Sequence, residues 1–280
     1  MKHIISLESM EKFSEKMWED ERSKATVEKY LRDIRTFITF AGEECMIDKD
    51  TVIAYKTYLL EKYAPASVNS MLAAINSFFK ENGWYDCVVK AIKIQKEAFR
   101  SGKKELTREE YYRLLQAAKR KENRRLYMLI QTICSTGIRV SELEYITVEA
   151  VHTRRAVVSL KGKTRTVILP IELCRELKQY IKENNIKSGT IFVTRNGKPM
   201  NRSNIWKEMK ELCKSAGVDR EKVFPHNLRH LFACTYYQLN KDITHLADIL
   251  GHSNINTTRI YTLVSGEEQE KQISMLGLVV

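Results

Sequence analysis

Between residues 6 and 91 apolar side chains return every three or four positions, which confines that stretch to helices packed on one another. Ser6, Ser23 or Thr26, Asp48 and the step Ala64-Pro65-Ala66-Ser67 are each placed to open a helix, by side-chain capping or by proline in the first turn. Four to five helices fit. In the second, Val27, Tyr30, Leu31, Ile34, Phe37 and Ile38 make one apolar face. Met71, Leu72, Ile75, Phe78 and Phe79 do the same in the fourth, which ends at Asn82-Gly83. The expectation is a small all-α bundle over residues 1–91.

Residues 92–106 carry Lys93, Lys96, Arg100, Lys103 and Lys104 around Ser101-Gly102 and lack an apolar period, so they read as a basic linker. Thr107 with Glu110 three positions on is a capping box that opens a second domain, residues 107–280. Its helices run through Tyr127–Ser135 to a break at Thr136-Gly137, and Ser141–Thr147 follows. The period then changes to two. Ala156–Leu160 and Thr166–Leu169 flank a Lys161-Gly162-Lys163-Thr164 turn, a β-hairpin closed by Pro170, and a short third strand is expected at Thr190–Thr194. Helices resume at Ile171–Glu183, Arg202–Ala216, His226–Leu239, Asp242–Leu250 and Asn254–Tyr261. The predicted class is mainly α with a small antiparallel β-sheet.

The charge is lopsided. Of the net +12, none lies in residues 1–100, with 16 basic and 16 acidic side chains, while residues 101–280 hold 31 basic against 19 acidic. Between Lys90 and Arg125 there are 13 basic and 5 acidic side chains, and the surplus suits a polyanionic partner, most simply nucleic acid or an anionic membrane surface. The first residues lack a secretory signal, and no window holds the roughly eighteen apolar residues that span a bilayer, so a cytoplasmic protein without a membrane partner is expected. Cys45, Cys87, Cys134, Cys174, Cys213 and Cys234 form no CxxC pair and read as reduced, small hydrophobes.

Several polar residues of the second domain exceed what folding needs. Arg139 follows the glycine turn in Thr136-Gly137-Ile138-Arg139-Val140-Ser141-Glu142-Leu143, with Glu142 one helical turn away. In Pro225-His226-Asn227-Leu228-Arg229-His230, His226 and Arg229 share a helix face near an N-terminus, while Leu228, Leu231, Phe232 and Thr235 supply the packing. Gly251 stops a helix, His252 begins a loop, and Tyr261 closes the next short helix. His226 and His230 at four-residue spacing make a weak metal pair, because Asn227 stands where HExxH needs glutamate; no metal and no cofactor is expected. Together the set suits phosphodiester chemistry. A phenol can form a covalent ester, though its ordinary pKa of about 10 means that it needs help. Guanidinium forks suit the charge that builds on phosphate oxygens, histidines move protons near neutral pH, and a hairpin lysine can protonate a departing sugar oxygen.

These motifs, TGIRVSEL, the KGK hairpin, HNLRH and LGHSNINTTRIY, in this order, closely resemble the tyrosine recombinase (phage integrase) family, and within it the compact Xer-like and transposon-type members. The resemblance implies a catalytic set of Arg139, Lys161, His226, Arg229, His252 and the nucleophile Tyr261, with Glu142 in support; Lys163 is the alternative hairpin lysine. It implies site-specific recombination of double-stranded DNA through a 3′-phosphotyrosyl intermediate, without an amino-terminal arm-binding domain. It also implies two domains closing as a C-shaped DNA clamp, crossed by the basic linker. The family works as a tetramer on two sites, as a homo-oligomer or with a paired recombinase, and passes its C-terminal segment, here about 263–280, to a neighbour. Ile273, Met275, Leu276, Leu278, Val279 and Val280 suit such docking, in cis or in trans. A type IB topoisomerase, or a DNA-binding regulator without activity, are the rival readings.

Overall fold

The computed structural model describes residues 2–42, 46–94, 104–160, 162–262, 270–271 and 273–276, and its chain divides into two compact units, Met1–Lys96 and Glu97–Val280. In the first unit, α1 (Leu7–Glu19) starts at Ser6, whose hydroxyl accepts from the Ser9 amide while Ser9 answers with the reciprocal bond. Ser23, not Thr26, caps α2 (Lys24–Ala41), Asp48 caps α3 (Lys49–Lys62), and Pro65 occupies the first turn of α4 (Pro65–Glu81). The fully buried rings of Phe37, Tyr55, Phe78 and Phe79 meet edge-on at the centre, with Phe37 and Tyr55 5.0 Å apart.

Two asparagines of α4 then fix the chain that leaves the bundle. Asn76 pairs with both backbone groups of Val89, at 3.0 and 2.8 Å, and Asn69 does the same at Ile92, at 2.7 and 2.9 Å. Ties into the second unit begin at Lys104, whose carbonyl accepts from Asn227 at 2.8 Å, and at Leu106, which is buried.

The second unit is built on α5 (Arg108–Arg120) and α6 (Arg124–Thr136), followed by α7 (Val148–Thr153), the hairpin strands β1 (Arg155–Leu160) and β2 (Lys163–Ile168), α8 (Ile171–Glu183), α9 (Arg202–Ala216), α10 (Pro225–Asn240) and α11 (Ile243–Leu250). The strands pair antiparallel from Arg155 with Ile168 to Leu160 with Lys163, and Ala156, Val158 and Val167 turn inward. This mainly helical fold with one small antiparallel sheet agrees with the sequence reading.

Two elements differ from expectation. Thr190–Thr194 is not a strand: Thr190 bridges only Thr147 and Val193 only Pro199, while the adjacent Ile191 and Phe192 are both buried, so no face alternates. Between the Gly137 break and α7 lies a 3-10 turn, Val140–Tyr145. Asn254–Tyr261 resolves into two 3-10 turns, Ile255–Thr257 and Arg259–Tyr261, because Thr258 and Tyr261 bond back three residues, to Ile255 and Thr258. Among the described residues no helix is long and apolar enough to cross a membrane.

Candidate active site

Two glycines in the left-handed conformation set the site. Gly137 ends α6 at φ +64°, and a Cβ there would lie 2.4 Å from the Phe232 ring. Gly251 ends α11, also at φ +64°, where a Cβ would meet the Arg165 side chain at 2.4 Å. Beyond Gly137 the chain extends, and Arg139 caps the next turn. Its backbone amide donates to Glu142 Oε2 and its guanidinium to Oε1, both at 2.9 Å.

The last turn of α11 leaves its carbonyls without helical partners, at the negative end of the helix dipole. Three arginines from three separate stretches fill them. Arg165 donates to Ile249 O at 2.7 Å, Arg229 to Leu250 O at 2.7 Å, and Arg139 to Gly251 O at 3.0 Å. Arg229 also donates to Gly137 O, which joins the two glycine turns. The guanidiniums of the TGIRVSEL and HNLRH stretches therefore converge on successive residues of one turn.

Arg229 is not surplus to the fold as its helical position suggested: it is 3% exposed and serves as the partner of buried carbonyls. Burial and the neighbouring Arg139 charge bring it down to about 10, so it stays cationic at neutral pH. Arg139 is more open, its side chain 38% exposed.

Arg229 donates to His252 Nε2 at 3.0 Å, so the ring proton lies on Nδ1, which bonds Thr258 Oγ1 at 2.9 Å. Burial, then the charges of Arg229, Arg139 and Arg165, push His252 down to about 4. The ring is neutral. His226, the exposed member of the pair on α10, is also held below the usual histidine range, by the protein packed round its ring and by Arg229, Arg139 and Arg202. Tyr261 is 3% exposed, stacks near His252 with ring centres 6.3 Å apart, and meets the edge of His230 at 5.0 Å. Burial raises its hydroxyl above the ordinary phenol value, while the neighbouring Arg229 and Arg139 pull the other way. A phenol that feels the Arg229 and Arg139 charges beside a neutral imidazole loses its proton at less cost than burial alone would impose, which is what a phenolic nucleophile needs.

Residues 104–268 match the profile described as "Phage integrase family", and residues 10–82 match "Phage integrase, N-terminal SAM-like domain". The chain belongs to the phage integrase family. Tyrosine recombinase XerA of Thermococcus kodakarensis is 30% identical, over 94% of this chain and 93% of that protein. A XerH site-specific recombinase bound to palindromic difH substrate, in a post-cleavage complex, shares the fold with TM-score 0.67 and 24% identity, over 82% and 70% of the two chains. A lambda integrase tetramer bound to a Holliday junction does so with TM-score 0.73 and 18% identity, over 92% and 78%. Like its relatives in the phage integrase family, the chain is a tyrosine-type site-specific recombinase.

Of the other residues singled out from the sequence, Lys161 lies outside the described residues, as does the side chain of Lys163. Lys93 and Lys104 are exposed, and Lys96, Arg100 and Lys103 lie outside the described residues. At the far end of the basic segment, Arg120 and Lys121 are turned onto the α9 carbonyls of Ser215 and Glu211, and Arg125 pairs with Glu208 at 2.7 Å. Those three cations serve the fold. Sequence reasoning missed Arg165, Thr258 and His230 as members of the site; the only signal for Arg165 was its place in the same basic hairpin as the lysines. In the first unit His3, Asp86 and Cys87 bring three potential ligand atoms within 4.8 Å of one another. His3 is already engaged by Asp86 at 3.0 Å and stacked on Trp84, and burial holds the Cys87 thiol above its ordinary value, which disfavours the thiolate that a metal needs.

Proposed function

We propose that this recombinase cuts duplex DNA by attack of the Tyr261 hydroxyl oxygen on a backbone phosphorus, forming a P–O(Tyr) ester at the 3′ end as the P–O5′ bond breaks. The convergence of Arg139 and Arg229 on the α11 turn beside Tyr261 carries this reading. Their guanidiniums hold the non-bridging oxygens and stabilise the charge of the five-coordinate transition state. The phenolic proton passes to His226, held below the usual histidine range, while His252, whose Nε2 already accepts from Arg229, stays beside the phenol as a hydrogen-bonding partner of the cluster. Lys161, or Lys163 in its place, gives a proton to the departing 5′ oxygen. Attack of a 5′-hydroxyl from another strand reverses the steps, so the phosphodiester energy is kept and neither ATP nor metal enters. Glu142 fixes Arg139 for this work, and the exposed lysines Lys93 and Lys104, with Lys96, Arg100 and Lys103, meet backbone phosphates.

Binding of double-stranded DNA and assembly of several copies are supported by the relatives solved as a DNA complex and as a tetramer on a junction. The finer reading is four protomers on two sites, each lending its C-terminal segment to the next. The exposure of Ile273, Met275 and Leu276 supports donation in trans over packing on the protomer's own domain. The decisive test is a DNA substrate nicked beside the cleavage point, whose short fragment diffuses away after cutting. Wild-type protein should accumulate a covalent adduct and Tyr261→Phe none. No adduct from wild type on any sequence selected by binding would leave a DNA-binding regulator.

A further inference from the structure

Arg165 stands on β2, two residues beyond Lys163, and none of the roles above belongs to it. Its stem lies across Gly251, at the place a Cβ would need. One terminal nitrogen donates to Ile249 O at 2.7 Å and the other to Glu142 Oε2 at 2.6 Å; the side chain is 15% exposed and that of Glu142 3%. Glu142 is thereby shared, one oxygen taking the Arg139 guanidinium and the other taking both the Arg139 amide and Arg165. One planar fork thus fastens three parts: the hairpin, the carboxylate that orients Arg139, and the helix end from which His252 departs. Both its terminal nitrogens end on these partners, and its side chain is 15% exposed against 38% for that of Arg139.

We propose that Arg165 is a positioning residue that registers the lysine-bearing hairpin on the Arg139–Arg229 cluster, through Glu142 and the α11 turn and without touching DNA. The proposal rests on the phosphotyrosyl reading above. It predicts which step suffers when the fork is lost. A hairpin out of register no longer presents its lysine to the departing 5′ oxygen, and misplacement of about 1 Å is enough to slow a reaction about 100-fold.

The test uses the full chain with Arg165→Ala and with Arg165→Lys, which keeps the charge and the stem but cannot reach both Glu142 and Ile249 as a fork. On nicked DNA both variants should cut about 100-fold more slowly than wild type while binding within about threefold. With sulfur in place of the bridging 5′ oxygen, a leaving group that departs as thiolate and needs no proton, at least about tenfold of the loss should return, since thiols are far more acidic than alcohols. Adding Glu142→Ala to Arg165→Ala should slow cutting no further than the worse single change. Amide hydrogen exchange over residues 155–168 should speed up in both variants, a reading independent of activity. Equal slowing with oxygen and sulfur, additive losses, or unchanged exchange in the hairpin would each overturn the proposal. Absence of adduct from wild type would instead remove the phosphotyrosyl reading, and the exchange result would then decide the role of Arg165 alone.

Discussion

Glycine is required at two positions of the site for reasons that geometry makes plain. Gly251→Ala forces a left-handed alanine and drives its methyl into Arg165, while Gly137→Ala drives one into the Phe232 ring. Each should lower unfolding free energy by about 1–3 kcal/mol, seen as a reduced urea midpoint, with the larger loss at Gly137, where a packed ring yields less easily than a side-chain stem. The two arginines should part company in the same assay. Arg139→Ala and Arg229→Ala should each slow strand cleavage by about 100-fold or more with DNA affinity nearly intact, because affinity comes from many phosphates. Arg229→Ala alone should also unfold markedly earlier. It abandons two buried carbonyls, Gly137 O and Leu250 O, at about 1–3 kcal/mol for each unsatisfied group.

At the scale of elements, the α11 turn makes stability depend on pH. His252 titrates at about 4 in the folded chain against an ordinary 6.5, so the unfolded chain takes up this proton first on acidification. The stabilisation is fully present above pH 6.5 and is lost as pH falls toward 4. Glu142 is held below its ordinary 4.5, against burial, by the Arg139 amide and by the charges and bonds of Arg165 and Arg139, and its contribution is lost at lower pH still. His252→Gln should flatten the loss between pH 6.5 and 4, and Glu142→Gln the part below 4.5, both measured by urea midpoints across pH. Helix starts were legible because capping is local: Ser6, Asp48, Pro65 and Thr107 open helices with their own side chains. The 190–194 segment was not, since its pairing partners at Thr147 and Pro199 lie on both sides of it in the chain and no local period announces them. The same holds for the site. The convergence of Arg139, Arg229, His252 and Tyr261 could be suspected from motif order, whereas the burial of Arg229 and the place of Arg165 depend on carbonyls supplied by α11, which no spacing reveals.

For the whole molecule, the +12 charge governs its dealings with DNA. Apparent affinity should fall linearly on a log–log plot against salt, with a slope near −0.9 for each phosphate neutralised. Substituting Lys93 and Lys104 together should reduce that slope by about two, whereas Arg120→Ala, turned onto Ser215, should leave it unchanged. A chelator should alter neither binding nor cutting. On the proposed reading the guanidiniums that meet a phosphate also close the end of a helix, so the recombinase cannot be disarmed at Arg229 without being loosened. Cells carrying such an inactive allele should hold less of the protein, as intracellular proteases reach its opened form more often. Scarcity, and not only silence, is the expected signature of that lesion.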